Sequence, residues 1–192
     1  MTGKICDIRK YSIITGDRLF FDANIWIYLW SPPNSPDASL SSAIMEYSRI
    51  YSEMISQNIK ILTSWLVLSE FVNFLSRKSF QSYLKLNQGA FKDSEFKSYR
   101  DSIYFLTERK DITTYVKKIL EKSQIIPHDS SNLRCDNVLN WFENNIDLND
   151  AIYVEDSIIT HYKIVTHDKD FKKFRGVANP DILTANPKLF KT

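Results

Sequence analysis

Glycine is scarce in this chain, four residues in 192, and proline contributes only six, a shortage that excludes collagen-like repeats and long flexible linkers. Cysteine is scarcer still. Neither Cys6 nor Cys135 has a second cysteine or a histidine at zinc-ligand spacing, and two thiols so far apart make no disulfide framework, so both are expected to stay reduced. The longest apolar run, residues 25–30, falls far short of the roughly 20 residues a membrane-crossing helix needs. The opening MTGKICDIRK has no apolar core of signal-peptide length ahead of its charges. A cytoplasmic protein with no membrane partner is expected. Neither sign of charge dominates: 25 Lys and Arg against 23 Asp and Glu leave a formal +2, and the pI near 8.4 permits a polyanionic partner without requiring one. Histidine, the commonest general base, occurs three times, and His128, His161 and His167 share no ligand spacing, so no catalytic role is assigned to them.

What is present is bulk for a core. Hydrophobic residues make up 43% of the chain and charged residues 25%, with four Trp, ten Tyr and twelve Phe. That is an ordinary globular balance, and the length suits one domain over residues 1–192. Residues 1–17 read as an N-terminal extension and 18–21 as a short buried strand. Residues 23–30 suit a loop passing into a helix, stopped by Pro32, Pro33 and Pro36. Apolar periodicity through Leu40, Ile44, Tyr47, Ile50, Tyr51, Met54 and Ile55 predicts a helix over 37–58. A second strand follows at 60–63, and Ser64 is placed to cap a helix running to about residue 77. That helix is expected to bury Trp65, Leu68, Phe71, Val72 and Leu75, leaving Ser69, Glu70, Asn73 and Arg77 on its polar side. Residues 79–130 read as an enlarged helical segment whose helices part near 87–89. Strands at 123–128 and 163–166, with helices over 132–144 and 148–161, complete the pattern. The alternation predicts an α/β fold with a central parallel sheet of about four to five strands and helices on both faces. In such sheets ligands bind beyond the carboxyl ends of the strands.

Two aspartates sit there. Asp22 follows Leu19-Phe20-Phe21, and Asp168 follows Ile164-Val165-Thr166-His167. Taken alone, each is as well explained as a turn former bonding its own backbone. Asn24, two residues after Asp22, suits an amide that orients a carboxylate, and Thr166 and Asp170 flank Asp168 in the same way. Asp147 and Asp150 open a helix as a capping pair that complements its dipole, and Glu70 by pattern faces solvent. Trp26, Tyr28 and Trp30 alternate with apolar residues and are read as core rather than as stacking platforms.

Taken in order, Phe-Phe-Asp22-Ala-Asn24, Leu-Ser-Glu70-Phe, Leu-Asn-Asp150-Ala and Val-Thr166-His-Asp168-Lys-Asp170-Phe resemble the successive acidic signatures of PIN-domain nucleases, the family that includes VapC-like toxins. The likeness runs from about residue 19 to residue 174. It implies a three-layer PIN-like fold and catalytic, metal-holding roles for Asp22, Glu70, Asp150 and Asp168. Asn24, Thr166, Asp170 and Asp147 become supporting neighbours. The extension at 1–17 and the long middle segment depart from compact members, and His167 stands where a smaller polar residue is common.

Four carboxylates forced together repel one another, and a hard divalent cation removes that cost. Oxygen-only donors suit Mg²⁺ or Mn²⁺ and not zinc. An ion held there would activate a water to attack phosphorus, hydrolysing RNA. Arg77, Lys78, Lys169, Lys172, Lys173 and Arg175 are candidate RNA contacts, with a solvated surface cluster an equal reading. The partners implied are an RNA substrate, a cognate antitoxin protein and a second copy in a homodimer. The alternatives are a stand-alone RNA-processing or defence nuclease, or an RNA-binding scaffold with a degraded site. A phosphatase of the haloacid dehalogenase type needs a second aspartate where Asn24 stands.

Overall fold

Strands of three residues, the central ones buried on both faces, line up in a sheet of six. The computed structural model describes residues 4–31, 33–34, 36–87, 91–127, 133–174 and 181–190. Pro32, the turn at 88–89, His128, Asn132 and Arg175 lie outside the described residues. The strands are β1 (Ile5–Asp7), β2 (Leu19–Phe21), β3 (Ile61–Thr63), β4 (Ser123–Ile125), β5 (Lys163–Val165) and β6 (Ile182–Thr184). Their order is β1-β6-β5-β2-β3-β4, and every pairing is parallel. After β2 the chain winds outward through β3 and β4, then crosses back to lay β5 against the other side of β2. The order therefore reverses beside β2, and the crevice at its carboxyl end is where such sheets admit ligands.

The helices are α1 (Ala23–Trp30), α2 (Ala38–Ser56), α3 (Trp65–Leu86), α4 (Phe96–Arg100), α5 (Leu106–Lys122), α6 (Cys135–Glu143) and α7 (Leu148–Thr160). Successive strand residues point to opposite faces, and β2 shows the result. Phe20 packs against Tyr153 of α7 and Tyr162, whereas Phe21 packs against Trp26 of α1. Each contact seats a helix on its own face of the sheet. No described helix is long and apolar enough to cross a membrane.

Six strands replace the four to five expected. β6 is buried throughout, but its Ile-Leu-Thr run is too short to show a period. β1 lies within the supposed extension as a half-buried edge strand, paired with β6 from Ile5↔Ile182 to Asp7↔Thr184. α1 begins directly after β2 with no intervening loop, because Asp22 caps it by accepting from the Ala23 amide. α3 runs past residue 77 to Leu86, since Phe80 and Leu75 continue its buried stripe. Trp65 is 63% exposed rather than core; it stands first after the Ser64 cap, and Val67 takes the inward position. α7 matches its expected span, and His161 closes it in the left-handed conformation, φ 56°. The core reading holds for Trp26, which is fully buried.

One ion pair ties α6 to α7. Glu155 is fully buried, yet it pairs with Arg134, whose side chain is 56% exposed, and it accepts from Asn137 Nδ2. Removing the cation leaves a buried carboxylate with one weak donor. Arg134→Ala is expected to cost about 2 kcal/mol in urea unfolding, below the range for fully buried pairs because the guanidinium is half in solvent.

Candidate active site

β2 and β5 are neighbours, registered Leu19↔Lys163 through Phe21↔Val165, so the residues that follow them emerge side by side. Asp22 extends the ladder by one bond, its amide donating to Val165 O at 3.1 Å. Thr166, fully buried, is the junction between the two exits. Its hydroxyl donates to Asp22 Oδ2 at 2.7 Å and accepts from the Asp168 amide at 3.0 Å and from Asn24 Nδ2 at 3.2 Å. Asn24 Nδ2 also donates to Asp22 Oδ2, and Asn24 Oδ1 accepts from the His167 amide at 3.0 Å. Asp22 Oδ1 takes the Ala23 amide. Asp22, Asn24, Thr166 and Asp168 are thus locked into one hydrogen-bonded unit.

Glu70 and Asp150 approach from α3 and α7. Glu70 is half-buried and not solvent-facing: its Oε1 accepts from Asn149 Nδ2 at 2.6 Å and from the Tyr153 hydroxyl at 2.9 Å. Asp147 caps α7 as expected, accepting from the Asn149 amide at 2.9 Å. Asp150 is half-buried in the first turn behind it.

The charges of these acids act on one another. Burial pushes Asp150 up to about 9, reinforced by Asp22, Asp168, Asp147 and Glu70. Burial likewise raises Asp22 to about 7; the Thr166 hydrogen bond opposes this, while the charges of Glu70 and Asp168 add to it. Glu70 is raised by burial and by Asp147, against the hydrogen bonds from Tyr153 and Asn149. Among the described residues, no three acidic, histidine or cysteine side chains stand at the spacing of a finished coordination shell. The donor set nonetheless fits a hard divalent cation: every donor is a carboxylate oxygen, and burial, with the neighbouring charges adding to it, disfavours a metal-free charged state of Asp22 and Asp150.

The remaining candidates divide. Asp170 turns away, its carboxylate 3.8 Å from Lys173 Nζ, although its amide donates to Asp168 Oδ1 at 2.8 Å. Lys78 donates to Ser31 Oγ at 2.8 Å, tying α3 to the end of α1. Arg77 lies over the Phe96 ring at 4.9 Å. Lys173 reaches the Asn145 carbonyl, and Lys172 is half-buried in the turn that follows Asp168. Lys169 lines a cleft beside Asp168. Asn149 and Tyr153, which hold Glu70, escaped the sequence reading. Their own spacing of four, which puts Asn149 and Tyr153 on one helix face, was the available signal, masked because Tyr153 also reads as an ordinary core residue. Asn149→Ala is expected to cost about 1–2 kcal/mol in denaturant unfolding, because a partly buried carboxylate loses a donor.

Among curated proteins none matches the sequence. Among solved structures, the fold is similar to a chain in the crystal structure of VapBC2 from Rickettsia felis bound to a DNA fragment from their promoter. The TM-score is 0.51 at 16% identity, over 86% of this chain and 96% of that one, a likeness of fold alone. The family model of the PIN domain matches residues 19–177, a span that carries all four acids and the strands behind Asp22 and Asp168. The chain therefore belongs to the PIN domain family.

Proposed function

We propose that this chain is a Mg²⁺- or Mn²⁺-dependent endoribonuclease, with Asp22, Asp150, Asp168 and Glu70 as its catalytic, metal-holding acids. The observation that carries the reading is the convergence of Asp22 and Asp168 on the Thr166 hydroxyl at the adjoining ends of β2 and β5, with Asp150 close enough to feel the charges of Asp22, Asp168 and Glu70. When bound, a divalent ion supplies Lewis acidity toward a water and the scissile phosphate. The protein's part is placement. Thr166 and Asn24 aim Asp22 Oδ2, the Thr166 hydroxyl anchors the Asp168 amide, and Asn149 with Tyr153 fixes Glu70. Asp150, on the rigid first turn of α7, completes the set. Preset carboxylates hold water and phosphate in reacting order, which is where much of such catalysis arises.

The biological role that best fits is the toxin of a toxin–antitoxin pair acting in the cytoplasm, held inactive by a cognate antitoxin and able to form homodimers. Its support is the fold likeness to a chain of a VapBC2 assembly. The test is incubation of a mixed RNA pool with the purified protein in Mg²⁺, in Mn²⁺ and in EDTA. Cleavage in the first two and none in the third is expected. Intact RNA in all three would leave an RNA-binding scaffold as the better reading.

A further inference from the structure

A cleft of about 460 Å³ opens beside the acids and shares Asn24 and Asp168 with them. We propose that this cleft, between Tyr28 and Lys188, seats the single-stranded nucleotide next to the scissile phosphate, an inference that rests on the ribonuclease reading.

Position comes first. Anything lodged against Asn24 and Asp168 is already at the mouth of the acid cluster, so a chain entering the cleft leads its neighbouring phosphodiester to those carboxylates. The free groups come second. Lys169 and Lys188 both line the cleft, and among the described residues neither is held in an ion pair, unlike Lys163, Lys173 and Arg134. Two unengaged ammonium groups beside an acidic pocket supply what a polyanion needs in order to approach it. Asp37 also lines the cleft, but its carboxylate is occupied in capping α2, accepting from the Leu40 amide at 2.8 Å.

Tyr28 provides a platform. Its ring is half-buried, nearly parallel to Tyr47 at 6.3 Å, and edge-on to His167 at 5.4 Å. Braced on two sides, the ring is fixed before any ligand arrives, and among the described residues no bond engages its hydroxyl. A base stacks on such a ring whatever its identity. Because the ring sits inside a cleft, only an unpaired base reaches it, which favours single strands over duplex.

The walls are built for rigidity. Asn186, buried, donates to His167 O at 2.6 Å and accepts from the Lys188 amide at 3.0 Å. The Tyr47 hydroxyl bonds His167 Nδ1 at 2.9 Å and accepts from the Ala185 amide at 3.0 Å. These bonds clamp the exits of β5 and β6 together, and among the described residues none engages His167 Nε2.

The experiment measures anisotropy of a short fluorescein-labelled single-stranded oligoribonucleotide in EDTA, with wild type, Lys188→Glu, Tyr28→Ala and Tyr28→Phe. Lys188→Glu, at an exposed position, is expected to weaken binding about tenfold and to lower the salt dependence by about one phosphate contact. Tyr28→Ala is expected to weaken it about tenfold and Tyr28→Phe to bind as wild type. A duplex of the same sequence should bind more weakly and be indifferent to Tyr28→Ala. Wild-type affinity in both Lys188→Glu and Tyr28→Ala would overturn the assignment, as would duplex binding equal to single-strand binding. The same oligomer in Mg²⁺ or Mn²⁺ separates the two readings. Cleavage by wild type with unchanged binding in both variants removes the cleft alone; the expected losses in binding without cleavage remove the nuclease and keep the cleft.

Discussion

Asp22→Asn is expected to lower the rate of RNA cleavage about a thousandfold while leaving the fold intact. The substitution keeps the shape and lets Oδ1 go on accepting from the Ala23 amide. It turns the other terminal atom into a donor that meets two donors, Asn24 Nδ2 and the Thr166 hydroxyl. The hydroxyl rotates to accept; the amide has no such freedom. On the proposed reading a cation-binding charge is lost, and a thousandfold loss corresponds to about 4 kcal/mol of transition-state stabilisation. Single-turnover cleavage of the RNA pool at saturating Mg²⁺, beside circular dichroism of both proteins, is the measurement. Asp170→Asn is the matched control: its carboxylate faces Lys173, so its rate should stay near that of wild type.

The second large effect is on stability, and its sign is opposite to that of ordinary carboxylates. Asp22 and Asp150, raised to about 7 and about 9, bind protons more tightly folded than unfolded, where an aspartate titrates near 3.9. The native state therefore holds more protons from about pH 4 up to each folded value, and stability falls as pH rises through that window. His167, lowered by burial, works against this below its unfolded value of about 6.5. The interval from pH 7 to pH 9 lies above that opposing effect; burial raises the Cys6 thiol as well, so it adds a loss of the same sign there, which Asp150→Asn leaves in place. There, without metal, wild type should lose about 1–2 kcal/mol, a few degrees in melting temperature, and Asp150→Asn should lose much less. Adding Mn²⁺ at a hundredfold excess over its dissociation constant should raise wild-type stability by about 2.7 kcal/mol. Asp150→Asn should respond weakly despite starting from a more stable metal-free state. A wild-type melting temperature that rises from pH 7 to 9, or that ignores Mn²⁺, would contradict the assignment of this cluster.

The order of strands and helices from β2 to β5 was legible because β2, β3 and β5 are apolar runs bounded by turn residues or a cap, β4 leads into Ile125-Ile126-Pro127, and each long helix carries a stripe of period 3.6. β1 and β6 were not legible. Ile5-Cys6-Asp7 and Ile182-Leu183-Thr184 are strands because they find each other across the whole length of the chain, and no local pattern encodes that partnership. At the site, Asp22 and Asp168 were visible as acids ending buried strands. Glu70 was visible only through its motif, since a helical wheel puts it in solvent; what draws it inward is Asn149 and Tyr153 on α7, a tertiary effect. The cations were the least readable. Arg77 and Lys78 follow Glu70 in sequence but project to Phe96 and Ser31, whereas Lys188, absent from the sequence reading, stands beside Asp168 in the cleft. Seven or eight residues bring a side chain back to nearly the same helix face, so it is the rise of roughly 10 Å along α3 that carries these two cations away from Glu70.

The clamp between β5 and β6 makes the crevice depend on a strand that belongs to the far end of the sheet. Asn186 and Ala185 brace His167, and the strand that precedes them is itself paired with Ile5–Asp7. Trimming that edge strand is therefore expected to loosen the wall behind His167 from a distance.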